Sequence, residues 1–439
     1  MTLHLCLSSP FTMKLPHVFL ALLCFLVSCT VVVILTLQNR QTVEYGERMA
    51  VKAWKSNEYT STLEVEYWNG TGEQQLGTDE KEVDKGIWPY FGADLPTNRS
   101  KLQICTKSVQ HFVFINIHKT GSTTLCVMLY RFGYVHGLNF VLPQARTPDN
   151  VGWPHYLRAQ DYLPLKGGYH FDVLVDHTVY HRRIIDNLMP ADTAYIAMLR
   201  YPLHHLESVF SSYKVPRQLK LNTKNPLEAF LRNPETYHRK DYIRTKLSSG
   251  QKPYSLTRNF MAYDLGYPSG LAEDMEMAQA YVKRLDRELD LVLILEYLDE
   301  SLVLLKRTMC WSIRDILYDT FNTAMRYRYA MDLTPEMDLN YKQWSKVDYL
   351  LYDHFNNTLW KKISQEGDDF RQEVANFVSV NSRVKSFCKK KNKDDHIVIP
   401  ASKWNTEELT VNQTFCHLLK TARMFFYKAI LERQSSKQL

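Results

Sequence analysis

The sequence predicts an α/β fold with a central parallel sheet flanked by helices. Three observations predict it. Four short, nearly unbroken apolar runs recur along the chain: Phe112–Ile117, Phe171–Val175, Ala194–Leu199 and Leu291–Leu295. Continuous apolar runs, as opposed to alternating ones, mark strands buried on both faces. Apolar residues between the runs recur at helical spacing, so helices separate successive strands. The first run leads directly into a Gly turn and a hydroxyl-rich helix start, HKTGSTTL (His118–Leu125).

The N-terminal elements come first in the chain. Val18–Leu37 carries no charge over 20 residues, long enough to cross a bilayer as a helix. A cleaved signal peptide would have a shorter apolar core and a small-residue cleavage site, and Gln38-Asn39-Arg40-Gln41 is a poor one. An uncleaved signal anchor at 18–37 is therefore expected, behind a short cytoplasmic tail at 1–17. Charge bias alone does not orient it: Lys14 precedes the span, while Arg40, Arg48, Lys52 and Lys55 follow it. The N-x-[ST] triplets at Asn69, Asn98, Asn356 and Asn412 all lie after the span and favour a lumenal body. Residues 38–104 are polar and read as a stem, leaving 105–439 as the folded domain.

Within that domain, Leu125, Met128, Leu129 and Phe132 define the core face of the helix after the Gly turn. A helix through Leu206, Val209 and Phe210 follows the third run, and a charged helix around Met277–Leu289 enters the fourth. The last third is read as mostly helical, with Val347, Leu350, Leu351, His354, Phe355 and Leu359 on one face. Five cysteines lie in the domain, so at most two disulfides form and one thiol stays free. Cys126, on an apolar helix face, is the expected buried thiol; the other four allow three pairings. The net charge of +7 suits an anionic ligand or a membrane surface and is too small to indicate nucleic acid. The run Lys389-Lys390-Lys391-Asn392-Lys393 reads as a solvated loop.

The loop His118–Thr124 carries the chemistry. It lacks the leading Gly of a Walker A motif, and Lys119 precedes Gly121 instead of following it. A helix N-terminus still offers free N–H groups and partial positive charge to an anion. Gly121 allows close backbone approach, Thr120, Ser122, Thr123 and Thr124 supply hydroxyls, and Lys119 supplies a point charge. A plain N-cap would need one hydroxyl and would leave the His-Lys pair unexplained. Arg200 closes the third run at the same end of the sheet, where ligands of open α/β folds bind.

The blocks FINIHKTGSTTL, YRFG, MLRYPLHHLESVF, TRNFMAYDLG, LILEYLDESLVLLKRTMCW and LYDHFNNTLW, in this order, resemble the galactose 3-O-sulfotransferases from about Val113 to Cys388. The resemblance implies a P-loop-like sulfotransferase fold in a single-pass type II Golgi membrane protein with a lumenal catalytic domain. The implied donor is 3′-phosphoadenosine 5′-phosphosulfate, which carries one 5′-phosphate and one sulfate and needs only a short loop. Its 5′-phosphosulfate site maps onto His118, Lys119, Thr120, Gly121, Ser122, Thr123 and Thr124, and its 3′-phosphate site onto Arg200 and Ser208. Where the family commonly has Asp after that Arg, this chain has Tyr201. The implied acceptor is O3 of a terminal β-galactose on a glycolipid (galactosylceramide, lactosylceramide) or a glycoprotein glycan. The partners are that acceptor and the Golgi membrane, with no nucleic acid; a homodimer is compatible with the family.

Sulfuryl transfer needs positioning and charge stabilisation more than covalent help. Lys119 is placed to neutralise charge on the bridging oxygen, and no metal is required; HExxH and CxxC ligand sets are absent from the sequence. His177, in LVDHTVYH after the second run, is the expected general base by location and resemblance, with His118 contacting donor or acceptor. Glu296 is a reserve base, and His136, His181, His204 and His205 are read as structural. Two other functions predict different residues. A P-loop kinase would need a full Walker A and a Mg²⁺ ligand such as Asp176. A membrane-anchored carbohydrate-binding protein would dispense with Lys119, His177 or Arg200, and all three are present.

Overall fold

The computed structural model describes residues 105, 107–145, 149–165, 168–237, 254–319, 333–390 and 395–435. The expected anchor at 18–37, the stem at 38–104, and Asn69 and Asn98 lie outside the described residues. Among the described residues, no helix is long and apolar enough to cross a membrane.

Each of the four apolar runs contains a strand: β1 (Phe112–Ile115), β2 (Val173–Leu174), β3 (Ala194–Leu199) and β4 (Leu291–Ile294). They form one parallel sheet in the order β2-β1-β3-β4. Phe112 pairs with Val173 on one side and Ala194 on the other, and Ile196 pairs with Leu291. Every strand residue is buried, so both pleat faces are covered, as the unbroken apolar runs require. β1 stops before its apolar run does. Asn116 turns its side chain to the Val175 carbonyl at 3.1 Å, and the chain leaves the ladder there.

Helix α1 (Ser122–Val135) buries Leu125, Met128, Leu129 and Phe132, the expected stripe, together with Cys126, Val127 and Tyr130. Burial extends around α1 because the C-terminal helix also packs on it. Helix α2 (Pro202–Ser212) sends Leu206, Val209 and Phe210 into a second apolar cluster with Phe230 and Trp344. Short helix α3 (Phe260–Asp264) and helix α4 (Met275–Glu288) lead to β4, and α5 (Leu298–Met309) leaves it. Helix α6 (Lys346–Gln365) lies against β4 and buries Val347, Leu351, Phe355 and Leu359, with Leu350 and His354 half-buried at the margin. Helices α7 (Phe370–Lys389), α8 (Gln413–Lys420) and α9 (Arg423–Ser435) complete the last third, and α9 packs against α1. That third also contains an antiparallel pair, β5 (Ile397–Ile399) and β6 (Leu409–Val411), too short for a periodicity to be legible.

Cysteine pairing is resolved. Cys105 bonds Cys310, Cys388 bonds Cys416, and Cys126 is the buried free thiol, pushed up to about 12 by burial. The first bridge ties the approach to β1 to the end of α5; the second ties α7 to α8. Asn412 is exposed, and its side chain accepts the Phe415 N–H at the start of α8. Asn356 is half-buried in mid-α6.

Candidate active site

The four strands deliver His118, His177, Arg200 and Glu296 just beyond their carboxyl ends. β1 lies between its successors on either side, so the loop after β1 sits where the chain's direction of winding reverses. Such a crevice is the usual ligand site of an open parallel sheet.

The loop after β1 is held by its own hydroxyls. Thr120, fully buried, donates to the Ile117 carbonyl at 3.0 Å, and Ser122 donates to the same oxygen at 3.3 Å. These two hydroxyls shape the turn, so what they offer a ligand is backbone N–H. Thr123 is exposed and Thr124 half-buried, leaving their side chains nearer the surface. Lys119 and Gly121 both adopt left-handed backbone conformations, φ 63° and 84°. Left-handed residues of this kind build the concave backbone nests that hold anions. Gly121 is the residue before α1, and no side chain caps the helix there; its first turn carries no acidic residue. A Cβ at Gly121 would come within 2.6 Å of Leu295 Cδ1. Gly121→Ala is therefore expected to cost about 1–2 kcal/mol for the left-handed backbone alone. Urea unfolding checks this; an unchanged midpoint would mean the turn tolerates a right-handed alternative.

Two cations converge on this loop. Arg200 Nη1 donates to the Lys119 carbonyl at 3.2 Å, locking the loop to the end of β3. Burial and the Arg200 charge lower the Lys119 ammonium below its usual range, partly opposed by Asp149. Two cations beside an uncapped helix start give this crevice a positive field that favours an anion. Lys119 Nζ also lies 5.8 Å from the Tyr213 ring centroid. Ser208 is half-buried on α2, two turns after Arg200.

His118 and His177 come from different strands and stack face to face, centroids 3.7 Å apart and planes 10° apart. Each ring has its Nδ1 committed. His177 Nδ1 lies 2.6 Å from the Asn116 carbonyl, an acceptor only, so Nδ1 carries the proton and Nε2 the lone pair. Burial, then the charge of His118, lowers the His177 pKa to about 3, and the ring is neutral at physiological pH. Its Nε2 faces Asp149 Oδ1 at 3.5 Å. His118 Nδ1 lies 2.8 Å from Asp264 Oδ2, which also accepts the His118 backbone N–H at 2.7 Å.

Several site residues carried no signal in the sequence. Asp264, at the end of α3, is buried; it would be raised by that burial, but His118 holds it below the usual carboxylate range. Its other oxygen accepts Trp153 Nε1–H at 2.8 Å, and the Trp153 ring sits 4.5 Å from His118. Trp153 thus lies between Asp264 and the His118 ring. Asp149 stands at φ 133°, a strained backbone for a non-glycine residue. Arg423, from the start of α9, bonds Asp149 at 2.8 Å and lies 3.6 Å from Asp176. None of these residues is near His118 or His177 in a recognisable motif, and only TRNFMAYDLG brought one of them, Asp264, into a quoted block.

The four histidines read as structural each have a protein partner. His205 is fully buried, with Nε2 2.9 Å from the His118 carbonyl, and His181 accepts the Ile184 N–H. His136 approaches Asp315, and His204 approaches Glu296. Glu296 accepts the Tyr201 N–H at 2.9 Å and so anchors the start of α2; against partial desolvation, His204 and that N–H hold its carboxyl below the usual range. Asp176, the carboxylate a kinase would offer to Mg²⁺, is fully buried and accepts the Tyr130 hydroxyl at 2.9 Å. Its other oxygen lies 3.6 Å from the Arg423 guanidinium.

A family model for galactose-3-O-sulfotransferases matches residues 83–418, starting within the stretch read as stem. Among curated proteins, galactosylceramide sulfotransferase of Bos taurus is 34% identical over 282 residues, 63% of each chain. The Homo sapiens galactosylceramide sulfotransferase is 33% identical over 285 residues, 64% of each chain. Galactose-3-O-sulfotransferase 3 of Mus musculus is 30% identical over 300 residues, 67% of this chain and 66% of that one. The matched stretch thus spans just under two thirds of the length of these relatives. The family match covers the whole sheet, the loop after β1, both stacked histidines and Arg200, and with it the chain belongs to the galactose-3-O-sulfotransferase family.

Proposed function

We propose that this protein transfers a sulfuryl group from 3′-phosphoadenosine 5′-phosphosulfate to O3 of a terminal β-galactose. The observation that carries the proposal is the convergence of an uncapped helix start, Lys119 and Arg200 with a stacked, neutral His177 at the carboxyl end of the sheet. The donor supplies an activated sulfate on a good phosphate leaving group. The residues present fit it: the 118–124 loop and Lys119 would hold the 5′-phosphosulfate, and Arg200 with Ser208 the 3′-phosphate.

His177 accepts the proton of the galactose hydroxyl at Nε2, while the Asn116 carbonyl holds the tautomer that leaves this lone pair free. The acceptor oxygen bonds to sulfur as the sulfur–oxygen bond to phosphate breaks, and the charge released falls near Lys119. Asp149, facing Nε2 and itself held by Arg423, stabilises the imidazolium that forms. Asp264 orients His118, whose ring supports His177 by stacking. Trp153 and Tyr213 supply aromatic surface beside the same histidine for a sugar face.

We further place the protein in the Golgi membrane as a type II chain with this domain in the lumen. The apolar run 18–37 and two disulfides within the domain support that placement. The test is incubation of the detergent-solubilised full chain with ³⁵S-labelled donor and a panel of galactosylceramide, lactosylceramide and a β-galactosyl glycan. Label at galactose O3 establishes the reaction, and the labelled acceptor names its class. Donor binding without label on any of the three refutes the proposed acceptor.

A further inference from the structure

At the opposite, amino-terminal end of the sheet, three side chains converge that the reaction does not use. His111 immediately precedes β1, and His170 and Asp172 precede β2. Asp172 Oδ1 lies 3.4 Å from His111 Nε2 and 3.1 Å from His170 Nε2. All three ligand atoms fall within 4.8 Å of one another. We infer that His111, His170 and Asp172 form a transition-metal site of the zinc class, with solvent completing a four-coordinate shell.

The geometry favours a metal over a plain hydrogen-bond cluster on three grounds. In tetrahedral Zn²⁺ with bonds of roughly 2.0–2.1 Å, adjacent donors stand about 3.3 Å apart. Two of the three edges already match that spacing, and the third closes by rotation of His170, whose side chain is 62% exposed. Both imidazoles also present the same nitrogen, Nε2, to the shared point. Third, the outer partners are those of a metal centre. His111 Nδ1 lies 2.7 Å from Asp192 Oδ1, a carboxylate–histidine–metal arrangement. Asp172 Oδ2 accepts the Asn139 N–H at 2.6 Å, which leaves Oδ1 for the ion. The backbone is fixed as well: Phe112 N–H donates to the Asp172 carbonyl and Ala194 N–H to the His111 carbonyl. Arg433 is within electrostatic reach of Asp172, but its guanidinium is turned to the Leu138 and Tyr134 carbonyls. An ion here would clamp the start of β1 to that of β2, which pairs with it only at Phe112–Val173 and Val113–Leu174. Its role is structural and independent of the sulfuryl transfer proposed above.

The test uses the full chain stripped with a chelator and titrated with Zn²⁺ by calorimetry, with Co²⁺ as a spectroscopic substitute. One equivalent should bind, Co²⁺ should show the intense visible bands of a four-coordinate site, and Zn²⁺ should raise the melting temperature by mass action. His170→Gln, at an exposed position, should weaken binding by at least about tenfold and abolish the thermal shift; Asp192→Asn should weaken it about 10–100-fold through His111. His170→Gln should leave sulfuryl transfer intact. A folded wild-type chain that binds no Zn²⁺ would overturn the site and leave a hydrogen-bonded cluster. So would binding that survives His170→Gln, or that disappears in His118→Ala, which would put the ion at the other end of the sheet.

Discussion

His177→Ala is expected to lower kcat by about 10²–10⁴-fold while leaving donor affinity nearly unchanged. The imidazole stacks on His118 of the loop after β1, its Nδ1 bonded to the Asn116 carbonyl and its Nε2 directed towards Asp149. Removing it takes away the proposed proton acceptor while leaving Lys119, Arg200 and the helix start in place. Its pH behaviour is a sharper signature than the loss of rate. Burial, followed by the charge of His118, lowers the His177 pKa to about 3. A lowered imidazole pKa keeps the base-competent neutral form down to that value, so protonation costs activity only on the far acid side. The kcat/KM profile of the free enzyme should therefore lack an acid limb near the ordinary histidine value of about 6.5. Measuring kcat/KM from acid to neutral pH checks this. A limb in the 6–7 region that vanishes in His118→Ala but persists in His177→Ala would assign the base to the His118–Asp264 pair.

Lys119→Ala is expected to cut kcat/KM by about 10²–10³-fold, the usual effect of deleting one preorganised group that meets developing charge. Unlike His177, Lys119 is also expected to contribute to donor binding, because in the proposed site it meets the anion in the ground state. The lowered ammonium pKa reflects burial and then Arg200, and a bound dianion offsets both costs. The product nucleotide, 3′-phosphoadenosine 5′-phosphate, should raise the wild-type melting temperature; at a hundredfold excess over Kd the stabilisation is about 2.7 kcal/mol. The shift should shrink in Lys119→Ala and stay full in His177→Ala. Lys119→Arg should recover binding better than turnover, since a planar fork does not replace a compact point charge. An unchanged nucleotide-induced shift in Lys119→Ala would remove Lys119 from the anion site.

Most of the sheet was legible in the sequence because burial on both faces leaves an unbroken apolar run. All four strands fall inside such runs, and the stripe Leu125, Met128, Leu129 and Phe132 lies in the core. Cys126 was legible as the buried thiol for the same reason, its place on an apolar helix face. The β5–β6 pair was not legible: three residues a strand are too few to display a period. The hydroxyls of Thr120 and Ser122 illustrate a different gap. Composition shows a hydroxyl-rich loop, but only the turn's φ angles send those two groups back to the Ile117 carbonyl.

By itself, then, the sequence determined the α/β class, the Gly turn with its hydroxyls and neighbouring cations, the count of disulfides and the family. Each of these depends on neighbours along the chain: a run, a turn, a spacing, a motif. Tertiary structure alone decided the pairing of Cys105 with Cys310 and of Cys388 with Cys416. It alone stacked His118 on His177, set Asp264, Trp153, Asp149 and Arg423 around them, and gathered His111 with His170 and Asp172. These contacts join residues tens to hundreds of positions apart, and a parallel sheet brings strand starts together at one end and strand ends at the other because each crossover returns the chain to begin a strand in the same direction.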